Sequence, residues 1–144
     1  MIQGLFDNGS MPVLERMLQF TEKRHKVLAN NIANFTNPFY KSKDMDPGRF
    51  QATLRRAIDD RRSRRGSDSG AVHFRDADGI KFKKDKLEVE VTQLNEGMLA
   101  HDHTNVNLEK TMQRLAENTL AYNLTVELVR NQFDTMKMAI RERV

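Results

Sequence analysis

Ten residues near the carboxyl end constrain this chain more than any other feature. Leu108, Met112, Leu115, Thr119, Tyr122, Val126, Val129, Phe133, Met136 and Ile140 alternate steps of four and three without a slip. A heptad row kept over more than four heptads is the seam of a long coiled-coil helix. A shorter row runs through Leu14, Leu18, Thr21, His25, Leu28, Ile32 and Phe35. All seven glycines lie outside residues 11–35 and 105–143, and the one proline inside them, Pro12, falls in a first turn where its missing N–H is not needed. Ser10 stands where it can cap the first helix, and Asn105 or Asn107 where either can cap the second. The pattern predicts a mainly α fold, with long N- and C-terminal helices packed as an antiparallel coiled-coil hairpin. Residues 1–35 form the N-terminal helix, 36–104 the connecting segment and 105–144 the C-terminal helix.

The second helix is not a simple two-faced one. Ala116, Leu120, Leu124 and Leu128 step by four, and Leu124 lies about 200° around the helix from Val126, at about 100° per residue. One flank of the seam, Thr111, Asn118, Thr125, Gln132 and Ala139, carries no charge, where free coiled coils usually place Glu and Lys. A helix apolar on several sides is buried on several sides, and the hairpin alone has nothing to cover the extra face. Leu120, Leu124 and Leu128 are therefore expected to meet another subunit.

The connecting segment differs in kind. Seven arginines against two aspartates put residues 49–65 at +5, which leaves the rest of the chain at −1 of its total of +4. Residues 51–70 read as a basic, flexible linker. Residues 71–94 hold short alternating pieces, Val72–Phe74, Ile80–Phe82 and Leu87–Val91, with a turn signal at Asp78–Gly79. They predict short β-strands, with Leu87, Val89 and Val91 on one face.

Composition excludes much else. Apolar residues make up 38% and charged residues 31%, and no run of about 18 apolar residues is long enough to span a bilayer. Met1–Pro12 holds no Lys or Arg, so it lacks the basic start of a cleavable signal. Without cysteine there are no disulfides, thiolate metal sites or cysteine nucleophiles. The only cluster resembling a metal site is His101, Asp102 and His103, where two His at i, i+2 have no evident third ligand. It reads as a solvated helix entrance, and His25 as a packed polar residue that fixes register. No phosphate loop, nucleophile elbow or zinc-helix motif is present, so no enzyme activity and no cofactor are expected. The arginines of residues 49–65 offer a nucleic-acid alternative. Asp59 and Asp60 interrupt them and no aromatics are interleaved for base stacking, so no nucleic acid is expected. Met17, Met112, Met136 and Met138 fall within the helical periodicity and read as core or interface filling.

Residues 28–41, LANNIANFTNPFYK, resemble the N-terminal signature of the bacterial flagellar axial proteins, the rod, hook and hook-associated family. Ala29, Asn30, Asn31, Ile32, Ala33 and Asn34 match it throughout, as do Pro38, Tyr40 and Lys41. The entry at Asn105–Val106, Met112, the Ala116–Glu117–Asn118–Thr119 run and Tyr122–Asn123 resemble the family's closing helix, in the form found in the proximal rod of the basal body. The chain length and the Lys43–Asp44–Met45–Asp46 segment fit a proximal-rod member better than the longer hook or distal-rod proteins. Phe39 replaces the family's turn glycine, His103 a glycine before the closing helix and Asn107 the usual acidic residue at its entrance. The resemblance implies a structural subunit exported unfolded by the flagellar type III apparatus without a cleaved signal. It implies helical polymerisation through both terminal helices, in the rod on the periplasmic side of the inner membrane. The implied partners are copies of itself, other rod proteins, the rod-base adaptor protein, the membrane ring of the basal body and the export apparatus.

Overall fold

The computed structural model describes residues 9–37, 39–65, 71–83, 86–94 and 108–141. Helix α1 spans Met11–Ala33, strand β1 Lys43–Asp44 and helix α2 Pro47–Arg65. Strands β2 (Ile80–Phe82), β3 (Leu87–Val89) and β4 (Thr92–Gln93) follow, and helix α3 spans Leu108–Arg141. The fold is mainly α, with α1 and α3 packed together and short strands between them in sequence. Their contacts run in opposite directions. Asn118 Nδ2 donates to the Thr21 carbonyl at 2.8 Å, and Arg114, one turn earlier on α3, shares Asp44 with Arg24, later on α1.

Helix α1 starts where the sequence places it, with Pro12 in the first turn, but the Ser10 hydroxyl makes no capping hydrogen bond. Its backbone carbonyl instead accepts from the Val13 and Leu14 N–H groups, both at 3.1 Å. The helix is buried on two sides. Thr21 turns toward α3, while Arg16, Phe20, Arg24 and Asn31 turn toward the middle of the chain. His25 is exposed, not packed as the heptad row predicts; the row is seven residues long, but α1 faces two neighbours and His25 points at neither.

The largest departure from the sequence reading is α2. The arginine-rich stretch is an ordered helix through Arg65, not a flexible linker beginning at residue 51. Asp46 Oδ1 accepts from the Gly48 and Arg49 N–H groups at 2.8 and 3.1 Å, which is N-capping with Pro47 in the first turn. Arg, Ala, Leu and Gln are strong helix formers. Phe50, Leu54 and Ala57, spaced four and three apart, are buried on one side. Phe50 stacks on Phe20 of α1 with ring centroids 4.1 Å apart and planes 4° from parallel. Phe20, Met45, Phe50, Leu54, Ile80 and Leu87 form the buried core. The core therefore lies between α1 and the connecting segment, and the terminal helices are not left to stabilise each other alone.

Strands β2 and β3 pair antiparallel, with Ile80 opposite Val89 and Phe82 opposite Leu87. Asp78–Gly79 makes the tight turn its sequence predicts. Ala77 and Ile80 exchange both backbone hydrogen bonds at 2.9 Å, and Gly79 has φ +74°, where a Cβ would come within 3.0 Å of Glu90 Oε2. Leu87 is fully buried. The strand stops at Val89, short of the predicted Val91, because the chain turns away to pair β4 with β1: Thr92 lies opposite Asp44 and the Leu94 N–H donates to the Ser42 carbonyl at 2.9 Å. Val72–Phe74 forms no strand, yet Val72 is buried and Phe74 stacks on Phe82 at 5.0 Å. Arg16 on α1 holds this layer, donating to the Lys83 carbonyl at 3.1 Å and lying over the Phe74 ring. Lys23 donates to the Leu87 carbonyl.

Candidate assembly surface

The signature at the end of α1 divides into a buried hub and an exposed rim. Asn31 is fully buried. Its Nδ2 donates to the Lys43 carbonyl at 2.6 Å, and its Oδ1 accepts from the Tyr40 hydroxyl at 2.9 Å and the Lys43 N–H at 3.1 Å. One side chain thus ties the chain beyond the turn back to the helix, satisfying the backbone groups of Lys43 on the side that faces away from β4. Burial pushes the Tyr40 phenol above its usual range. Asn34 seals the helix end, its Nδ2 donating to the Asn30 carbonyl at 2.8 Å. Ala29, Asn30, Ala33 and Lys41 are exposed and Ile32 is half-buried. Pro38 lies outside the described residues, and Phe39 is 90% exposed. Replacing Tyr40 by phenylalanine removes one hydrogen bond of the hub and is expected to lower stability by about 1 kcal/mol, measured by urea unfolding.

Just beyond the hub, Asp44 joins three elements. Arg24 of α1 donates to both of its oxygens, Nε to Oδ1 at 2.9 Å and Nη2 to Oδ2 at 2.8 Å. Arg114 of α3 approaches Oδ2 at 3.9 Å, and the Met45 N–H donates to Oδ1 at 2.7 Å. Both partners of the bidentate pair are 9% exposed at the side chain. This bracket fixes where α3 lies along α1.

Helix α3 meets α1 through its uncharged flank. Thr111, Asn118 and Thr125 are its buried residues. On the heptad row, Leu108, Leu115, Thr119, Val126, Val129 and Met136 are half-buried, whereas Met112, Tyr122, Phe133 and Ile140 are exposed. The small polar side chains bury at low cost because they find partners: Thr125 Oγ1 donates to the Ala121 carbonyl at 2.7 Å and Asn118 reaches Thr21. On another face Leu120, Leu124 and Leu128 are 69%, 59% and 44% exposed. Three neighbouring leucines at steps of four form a continuous apolar ridge, which single scattered surface leucines do not.

An open groove of about 500 Å³ lies between α1, α2 and α3. Val13, Met17, Phe20, Phe50, Leu54 and Ile58 make it apolar, Arg55 and Gln51 stand on the α2 side, and Glu117 and Ala121 on the α3 side. No sequence pattern announces it, because its three walls come from three elements.

The other candidate features are accounted for in part. Of the arginines in residues 49–65, Arg49 pairs with Asp46 and Arg61 donates to the Gly9 carbonyl at 2.6 Å; Arg55, Arg56 and Arg62 are exposed. His101, Asp102 and His103, and the capping candidates Asn105 and Asn107, lie outside the described residues. Among the described residues no group of three His, Asp or Glu could hold a metal ion, and no helix is long and apolar enough to cross a membrane.

No protein-family model matches the chain. Individual proteins do. The flagellar basal body rod protein FlgB of Bacillus subtilis is 28% identical over 137 residues, covering 92% of this chain and 94% of that protein. The FlgB of Borrelia hermsii is 26% identical over 137 residues, covering 92% and 96%. That of Aquifex aeolicus is 25% identical over 129 residues, covering 90% of each. The chain is similar to flagellar basal-body rod proteins over nearly its whole length. The similarity to these rod proteins takes in the connecting segment, with its arginine-rich α2, as well as the helices.

Proposed function

We propose that this chain is a structural subunit of the proximal rod of the bacterial flagellar basal body. The observation that carries the reading is the coverage: the rod-protein similarity spans about nine-tenths of the chain and of its relatives, with both terminal helices in place. The subunit is exported by the flagellar type III apparatus and polymerises through α1 and α3. Its partners are copies of itself, other rod proteins, the rod-base adaptor, the membrane ring and, during export, the export apparatus. The exposed Leu120–Leu124–Leu128 ridge supports this reading, since a helical polymer needs apolar surface left over after the monomer has folded. The division of the signature supports it too, with Asn31 holding the turn and Ala29, Asn30, Ala33 and Lys41 facing outward.

The test is genetic and biochemical together. Deleting the gene is expected to abolish motility and rod formation, with restoration by the intact gene, and an epitope-tagged chain is expected to co-purify with basal bodies. Motile cells after deletion, or basal bodies that lack the tagged chain, would remove the proposal. A nucleic-acid role through residues 49–65 predicts instead a salt-sensitive shift of labelled DNA by the purified chain.

A further inference from the structure

We infer that the groove between α1, α2 and α3 is covered by the chain's own N-terminal segment, with Ile2, Leu5 and Phe6 laid against its apolar floor. The inference concerns the single chain and is independent of the rod reading. Gly9 sets the direction. Its φ of +83° does not belong to a right-handed helix, so α1 does not run back through it. Its carbonyl accepts from Arg61 Nη1 of α2 at 2.6 Å. Val13 lies about one turn beyond Gly9 on α1 and Ile58 about one turn before Arg61 on α2, and both line the groove. The chain is thus pinned at one end of the groove, between two of its walls.

Reach and pattern fit as well. The groove runs from Val13 through Met17 to Phe20 along α1 and from Ile58 through Leu54 to Phe50 along α2, a length of about 10–12 Å. The seven residues from Gly9 back to Ile2 cover about 10 Å as a helix and up to about 23 Å extended. Ile2, Leu5 and Phe6 stand at steps of three and one, the spacing of one apolar side of a helical turn.

Charge does not choose the occupant, because Glu117 and Arg55 stand on opposite lips of the same groove and offset each other. Apolar surface chooses it. Phe20, Phe50 and Leu54 are buried at the floor, while Val13, Met17 and Ile58 are only half-buried. A separate molecule needs roughly 800 Å² per partner to stay bound, more than three side chains supply. A tethered segment needs far less, since a short link holds it at a millimolar effective concentration. That favours the chain's own segment over a second copy.

Because the chain has no cysteine, paired thiols can report the contact. Gln51 is exposed on the α2 wall toward the far end of the groove, the level that Gln3 reaches. Under mild oxidation in dilute solution, the full-length Gln3→Cys, Gln51→Cys variant is expected to close a disulfide within one molecule, read by mass after tryptic digestion. It should close several-fold faster than a Gln3→Cys, Lys137→Cys pair, which reports the same segment lying along the end of α3. Unchanged circular dichroism of the reduced forms shows that both variants fold. A faster Lys137 pair, or no disulfide at all, would overturn the inference. Disulfides formed mainly between molecules would overturn it too, and would give the groove to a second copy. A second measurement needs no thiol: Leu5→Ser with Phe6→Ser is expected to raise the binding of an apolar fluorescent dye several-fold by uncovering the groove. Unchanged dye binding would show that this segment does not cover it.

Discussion

Replacing Asp44 by alanine is expected to lower folding stability by about 3–5 kcal/mol, the usual cost of removing one partner of a buried ion pair. The loss has two parts. Arg24 is left with its guanidinium almost wholly out of water and no counter-charge, and Arg114, also largely covered, loses the same carboxylate. The Met45 N–H loses its acceptor as well. Thermal unfolding is expected at a temperature lower by roughly 10 °C or more. The double variant Arg24→Met, Asp44→Leu should recover part of the loss, since a well-packed apolar pair replaces a buried ionic one at little cost. If the single variant loses less than about 1 kcal/mol, the bracket between α1, β1 and α3 is not what holds them in register.

Leu124→Asp is expected to act in the opposite way. The side chain is largely exposed and makes no contribution to the buried core, so the monomer should change by no more than about 0.5 kcal/mol. Rod assembly and motility are nonetheless expected to disappear, with the protein still made and exported. If the ridge meets an apolar surface of a neighbouring subunit, the carboxylate must be desolvated there without a partner, a cost of several kcal/mol at every such contact. Motility assays and counts of assembled basal bodies, set beside the unfolding curve of the purified variant, give both halves of the result. Normal motility would show that the ridge faces solvent in the assembled state.

What could be read in the sequence followed periodicity. The long helix, its direction and its extra apolar face are visible because a row at steps of four and three, or of four alone, needs only local spacing. The Asp78–Gly79 turn is visible because only glycine sits easily at its positive φ. Helix α2 was hidden by its charge. Its arginines suggested a solvated linker, while the signals that mattered were the Asp46–Pro47 start and Phe50, Leu54 and Ala57 on one side. Asn31 stood out as part of a motif, but its work did not, since its partners are Tyr40 and Lys43, beyond a turn that no spacing rule describes. The same holds for the groove, and for the choice of Thr111, Asn118 and Thr125 over their leucine and valine neighbours as the centre of the helix contact. Those three are small, and close approach of two helices favours small residues wherever their hydroxyl and amide groups can be satisfied.

That small polar row also sets how the molecule comes apart. A seam of Leu and Phe would remove much apolar surface from water, at about 25 cal/mol per Å²; Thr111, Asn118 and Thr125 remove little. The Phe20–Phe50 core, by contrast, grips α1 from its other side. Pulled from the carboxyl end, the chain therefore yields α3 first, peeling it from α1 like an arm from a hinge while the body stays closed. A joint with so little glue lets the longest helix leave α1 without opening the Phe20–Phe50 core.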